Sequence, residues 1–183
     1  YCNKATVKAS NECTDIFLVK YNSSGTKQWT KQLGTSSGTS GKGVTVDSSD
    51  NIYVTGDTKG GLDGNTNSGG NDLFLLKYNS SGVKQWTKQL GTTSNERDQG
   101  GVAIDSSDNI YLAGYTEGGL DGNTNSGGMD IFLVKYNSSG TKQWTRQLGT
   151  SPSEYPFEVV YDSSNNIYVT GYTAGGLDNN TSS

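Results

Sequence analysis

Short apolar clusters set in a background of Ser, Thr, Asn and Gly dominate this 183-residue chain. Ile16-Phe17-Leu18-Val19 and Ile52-Tyr53-Val54 are two of them, each bounded by residues that favour turns. A disordered chain has no reason to gather Trp, Ile and Val in this way. β-Branched and aromatic residues fill the clusters and no 3.6-residue period runs through them, so an all-β fold with many turns is expected.

The pattern repeats. Asp15-Ile-Phe-Leu-Val-Lys-Tyr-Asn-Ser-Ser-Gly returns almost unchanged at Asp72 and Asp130, at spacings of 57 and 58 residues. Trp29, Trp86 and Trp144 keep step, as do Asp47, Asp105 and Asp162, and Gly56, Gly114 and Gly171. Each period holds four strand candidates: 43–47, 52–56, 72–78 and 84–90 in the clearest copy. The third is apolar on both faces, as expected when neighbouring layers cover both sides of a sheet. The fourth places Trp86, Lys88 and Leu90 on one face and polar residues on the other, which suits an edge. A four-stranded antiparallel meander with a small inner strand and a polar outer one is a propeller blade. Residues 1–14 read as a leader segment, followed by repeats over 15–71, 72–129 and 130–183.

Val44 to Asp47, Asn51 to Gly56, Asp72 to Tyr78, Gly82 and Trp86 follow the order Val-x-Val-Asp, Asn-Ile-Tyr-Val-x-Gly, Asp-x-Phe-Leu-x-Lys-Tyr, Gly, Trp. In this the chain resembles the SBBP (seven-bladed β-propeller) repeat family of bacterial and archaeal surface proteins and, more distantly, NHL repeats. The resemblance runs from Asp15 to about Asp178. It implies secretion and a binding or structural role, and it supplies no catalytic residue.

The array is out of phase with its blades. It opens on strands three and four and closes on strands one and two, with complete blades expected over about 43–90 and 101–148. Three blades are too few for a ring, and each terminal half-blade leaves an open strand edge. A longer propeller, a ring closed by several copies, and a filament joined half-blade to half-blade are the three expected outcomes. The chain begins at Tyr1 rather than Met, as a processed form or an excised fragment would.

Net charge is −4 and the cations form no run, which argues against nucleic acid as a partner. No apolar stretch is long enough to span a membrane. Cys2 and Cys13 stand ahead of the first repeat; they are read as a local disulfide in an oxidising compartment, with two free thiols as the alternative. With no His and only these two Cys, zinc is not expected. An extracellular or cell-surface location follows from the same features.

The long Gly/Asn loop offers one candidate metal site per repeat. Asp63, Asn65 and Asn67 stand at alternate positions, as do Asp121, Asn123 and Asn125, a spacing that can bring hard oxygens to calcium. The competing reading is a turn in which Asn and Gly take positive φ cheaply. The Asp47, Asp105 and Asp162 series is expected to accept turn N–H groups rather than to catalyse. The tryptophans are expected to pack between blades rather than to form a sugar-stacking platform. Asp57 gives way to Tyr115 and Tyr172 in the next repeats, which marks that position as a binding candidate. Asn22, Asn79 and Asn137 head Asn-Ser-Ser turns, and Asn179 and Asn180 precede Thr181 and Ser182; all five match the N-glycosylation pattern, and all five also suit plain turns. No nucleophile–base pair accompanies them, so no enzyme is expected. A self-assembling structural surface protein is the leading expectation, and a ligand-binding propeller segment the alternative.

Overall fold

The computed structural model describes residues 14–181. Strands β1 (Ile16–Tyr21) and β2 (Lys27–Leu33) form a two-stranded sheet. Strands β3 (Thr39–Val46), β4 (Ile52–Thr58), β5 (Asp72–Tyr78) and β6 (Lys84–Leu90) make the first complete blade. Strands β7 (Glu96–Ile104), β8 (Ile110–Thr116), β9 (Asp130–Tyr136) and β10 (Lys142–Leu148) make the second. Strands β11 (Glu154–Tyr161) and β12 (Ile167–Thr173) close the described chain as another two-stranded sheet. All pairings are antiparallel, and the sheets are half, whole, whole and half, as the repeat phase predicts.

Both faces of the middle strands are buried because a blade lies on each side. On β4 and β5, Val54, Phe74 and Leu76 turn toward β1–β2, where they meet Ile16, Leu18 and Trp29. The alternate residues Tyr53, Leu73 and Leu75 turn the other way, onto Ile110, Leu112, Phe132 and Val134 of the second blade. The period of two along a strand therefore serves two cores at once. A third cluster joins Tyr111 and Ala113 to Val159, Ile167 and Val169 of the last half-blade. Strand β7 packs against both β3 and β11, so the inner strands gather on one side of the array.

The first strand of each blade begins earlier than the sequence reading placed it. The blades run 39–90 and 96–148, not 43–90 and 101–148. Register breaks between Gly41 and Gly43, between Asp98 and Val102, and between Pro156 and Glu158 hide the strand from a period-of-two search. The residues before the breaks lack an apolar alternation; the buried Glu96 and Glu154 instead accept hydrogen bonds from Thr92 and Thr116, and from Thr150 and Thr173. The second strand is also longer, running on through Asp57 to Thr58.

Opposite each break stands a glycine. A Cβ on Gly56 would lie 1.9 Å from the Ser40 carbonyl oxygen, and one on Gly114 would lie 2.3 Å from that of Arg97. No side chain fits there.

Candidate functional site

Three kinds of contact join one blade to the next: the joint between the two complete blades has all three, and each joint with a half-blade has those that its strands can supply. Trp29 lies under the hairpin turn at Gly82, and Trp86 lies under the turn at Gly140; a Cβ on either glycine would meet indole carbon at 3.0 Å. Both glycines also sit at positive φ, 75° and 78°. The Lys20 ammonium donates to the Ser80 carbonyl at 3.0 Å, and that of Lys77 to the Ser138 carbonyl at 3.1 Å. On the β3–β4 turn, Ser48 donates through N–H and hydroxyl to the Asp108 carboxylate at 3.0 and 2.8 Å. One blade on, the Ser106 hydroxyl donates to Asn165 Oδ1 at 3.0 Å. The tryptophans are thus joint residues: Trp86 also meets Tyr53 edge-on, at 5.9 Å between ring centres.

At the opposite end of the blades a row of side chains crosses the last two joints. Ser40 pairs with Asp57 across β3–β4, Arg97 with Tyr115 across β7–β8, and Tyr155 with Tyr172 across β11–β12. Between blades, Arg97 Nη1 stands 3.6 Å from Asp57 Oδ1, and Tyr155 meets Tyr115 edge-on at 5.3 Å. The row therefore reads Ser40, Asp57, Arg97, Tyr115, Tyr155, Tyr172, with Tyr155 and Tyr172 stacked at 4.8 Å.

Beside Asp57 opens a cleft of about 380 Å³, with Thr14, Ser40, Lys59, Asn71 and Arg97 among its walls. Asp57 is 4 % exposed, and its Oδ1 accepts from Asn71 Nδ2 at 2.9 Å. Its Oδ2 is buried and has no hydrogen-bond partner among the described residues. Burial raises its pKa, opposed chiefly by the Arg97 charge. Deeper in the same joint lies Asp98, 1 % exposed, with Oδ1 accepting from the Gly101 N–H at 3.2 Å. The Thr55 hydroxyl approaches its carboxylate without closing a hydrogen bond of normal geometry, and Asp98 Oδ2 stays unpartnered. Burial pushes the Asp98 carboxyl up to about 6, with the Asp57 charge adding to the shift.

The calcium candidates are held by partners of their own. Asp63 and Asp121 take positive φ, at 53° each, inside single 3-10 turns. The Asp63 carboxylate is gripped by Lys84 and Thr87, and that of Asp121 by Lys142 and Thr145. Asn65 and Asn123 donate to the carbonyls of Leu62 and Leu120, each at 2.7 Å. Asn67 and Asn125 accept the N–H of Gly69 and Gly127 and donate back across the loop. The three side chains of each loop thus point to three sets of partners. Among the described residues no three His, Cys, Asp or Glu side chains gather as a metal group.

The Asp47 series closes its turns: Asp47 Oδ1 accepts from Ser49 and Asn51 N–H, and Oδ2 from the Tyr53 hydroxyl at 3.0 Å. Asp105 and Asp162 repeat the arrangement. In the Asn-Ser-Ser turns, Oδ1 of Asn22, Asn79 and Asn137 accepts two backbone N–H groups each. The amide nitrogen, where a glycan would attach, takes no part in those bonds. Asn180 instead spends its amide on the Leu177 carbonyl at 2.8 Å, and Asn179 stands in the last 3-10 turn. Cys2 and Cys13 lie outside the described residues. Position 57 was flagged in the sequence because it varies between repeats. Arg97 and Asp98 stand out in the sequence only as part of a non-repeated stretch around 92–99 that could line a ligand pocket; the fold is what brings them to Asp57.

Two curated relatives match at modest identity. An uncharacterised WD repeat-containing protein of Acanthamoeba polyphaga mimivirus is 27% identical over 206 residues, covering 89% of this chain and 15% of the relative. Regulatory protein FlaEY of Caulobacter vibrioides is 25% identical over 139 residues, covering 69% of this chain and 15% of the relative. The chain thus spans about 15% of the length of either relative. The SBBP β-propeller repeat model matches residues 28–63, 85–121 and 143–178, one match to each copy of the period. With half, whole, whole and half blades carrying those matches, the chain belongs to the SBBP family of β-propeller repeats.

Proposed function

We propose that this chain is a structural, non-enzymatic segment of an extracellular or cell-surface protein, and that it assembles by completing its half-blades with matching half-blades of other copies. The observation that carries the reading is the set of joint contacts. The joint between the complete blades carries all three contacts, the one before it only the tryptophan and lysine contacts, and the one after it only the turn contact, so the two ends hold complementary parts of one set. Gly25, in the β1–β2 turn, has nothing within 4 Å of a would-be Cβ, whereas its counterparts Gly82 and Gly140 each cover an indole. At the other end Trp144 has, among the described residues, no such turn over it. A groove of about 440 Å³ between β1 and β3, and one of about 290 Å³ over β11–β12, lie where further strands would pack. Phe17, Phe157 and Tyr168 stand exposed along these faces. Strand addition to an open sheet edge supplies main-chain hydrogen bonds, and matching apolar faces supply the rest.

A scaffold of repeated, self-consistent joints has no use for one differently tuned reactive centre, which supports a non-enzymatic role. Extracellular placement is supported by the Ser-, Thr-, Asn- and Gly-rich composition and the exposed Asn-Ser-Ser turns. The test is the size of the purified 183-residue protein by light scattering and negative-stain microscopy across a concentration series. Closed pairs or filaments are expected. A compact monomer at every concentration overturns the reading. That result would favour a ligand-binding segment instead, whose supporting observation is the non-repeated Asp57–Arg97 cleft.

A further inference from the structure

The side-chain row at the blade ends is incomplete at one position, and the cleft lies there. Two of the three described joints place a residue of the second strand against a residue of the next blade's first strand: Asp57 against Arg97, and Tyr115 against Tyr155. Ser40 holds the same place in β3 as Arg97 does in β7 and Tyr155 in β11, since each pairs with the residue that follows it in the row. Among the described residues the preceding half-blade offers only β1–β2, the outer two strands, so no second-strand residue stands against Ser40. Ser40 forms a wall of the polar cleft instead, with Thr14, Asp57, Lys59 and Arg97. At the far end of the row Tyr172 is 53 % exposed, whereas Tyr115, at the same place one blade earlier, is 6 % exposed.

We propose that the cleft over Ser40 is the seat for Tyr172 of a second copy of this chain, its ring lying over the small serine and its hydroxyl turned toward the Asp57 carboxylate. The inference rests on the assembly reading above and names the contact that would select the partner. Three features fit one occupant. Serine, the smallest residue in the row, stands where the incoming residue is a large aromatic one. The walls are polar and charged, which suits a phenol better than a phenyl ring. Asp57 Oδ2 has no donor among the described residues, and a turn of this cleft-lining carboxyl would offer it to a phenolic O–H. Tyr115 already stands close enough to Asp57, from the opposite side, for that charge to raise its pKa.

The experiment is a concentration series in light scattering on the 183-residue protein and three variants, with melting curves as a check on folding. Tyr172→Ala is expected to weaken association about tenfold or more, the range for truncating a central aromatic anchor. Tyr172→Phe, which keeps the stack on Tyr155, is expected to weaken it by roughly threefold through the lost hydroxyl alone. Ser40→Trp fills the seat from the other side, far from Tyr172 in its own chain, and is expected to weaken association as much as Tyr172→Ala does. If wild type assembles and both Tyr172→Ala and Ser40→Trp assemble equally well, this contact is wrong while half-blade exchange stands. If wild type never assembles, both fall together.

Discussion

The joint between the two complete blades and the joint that follows it share a backbone and most of their residues, yet their ends are chemically unlike. The first closes on Asp57 and Arg97, with Asp98 buried beneath. The second closes on Tyr115 and Tyr155, with Tyr172 stacked behind. The tryptophan beneath the following turn and the lysine reaching its carbonyl are scaffold, alike at this first joint and at the one before it. The end residues differ, and they give each joint an identity. Nearly identical repeats risk pairing out of order, and a charge facing an aromatic ring, or a carboxylate facing another, penalises the wrong neighbour.

The comparison can be broken most forcefully through what the joints share. Trp86→Ala removes an indole packed between two blades and is expected to cost about 3–5 kcal/mol. Trp144→Ala empties a site with no blade turn above it and is expected to cost less, roughly 2 kcal/mol. Equal losses in denaturant titrations would mean that the following blade adds nothing to the tryptophan's role.

The two ends of the joints can then be set against each other. Tyr155→Ala is expected to lose two aromatic contacts, about 1–2 kcal/mol beyond the area exposed, with no dependence on salt. Arg97→Ala leaves the buried Asp57 carboxylate without its cation, and the penalty is expected to shrink in high salt, because the guanidinium is partly exposed. A salt response of the same size in both variants would erase the distinction.

A smaller effect separates the joints by pH. Asp98 has a folded pKa raised to about 6, above its unfolded value, so the folded state holds that proton more tightly. Its contribution is fully present below the unfolded carboxylate value near pH 4 and is lost as pH rises through 6. Asp98→Asn is therefore expected to gain relative stability above pH 6 and to flatten the stability profile between pH 4 and 6. Asp47 and Asp105 act in the opposite sense. Burial raises them, but hydrogen bonds from Asn51 or Asn109 and their neighbours outweigh it, and their net shift is downward. Their stabilisation is present above about pH 4 and is lost as pH falls below it. Wild-type stability is thus expected to peak between the two windows, and a melting series against pH reads both slopes.

Smallest of all is the expected response to calcium. At Asp63 and Asp121 the ion would have to displace Lys84 or Lys142, and those surface pairs contribute no more than about 1 kcal/mol. Millimolar calcium is expected to shift the melting midpoint by less than about 2 °C. A larger shift, abolished by Asp63→Asn with Asp121→Asn, would establish the loops as ion sites.

Much of this architecture was legible in the sequence. Strand β5 over 72–78 and strand β6 over 84–90 lie where the alternation placed them, because both end in side-chain-bonded turns that punctuate the pattern. The repeat spacing fixed the phase of the half-blades. The starts of the inner strands were not legible: Thr39-Ser40, Glu96-Arg97-Asp98 and Glu154-Tyr155 read as loop because they carry no apolar alternation and a register break separates them from the part that does. The row at the blade ends was half visible. Variation at position 57 marked it, but nothing in the order of residues says that Asp57 meets Arg97, forty positions on, rather than the tyrosine two strands away.

The lysine that reaches over to the next hairpin has one more consequence. Lys20 finds Ser80, and Lys77 finds Ser138; neither reaches beyond the adjacent blade. Contacts of this range carry no count. They fix how one unit sits on its neighbour and nothing about how many units follow. Such an array gains or loses a module without redesigning any other, and its stability grows as a sum of neighbouring terms rather than as a property of the whole.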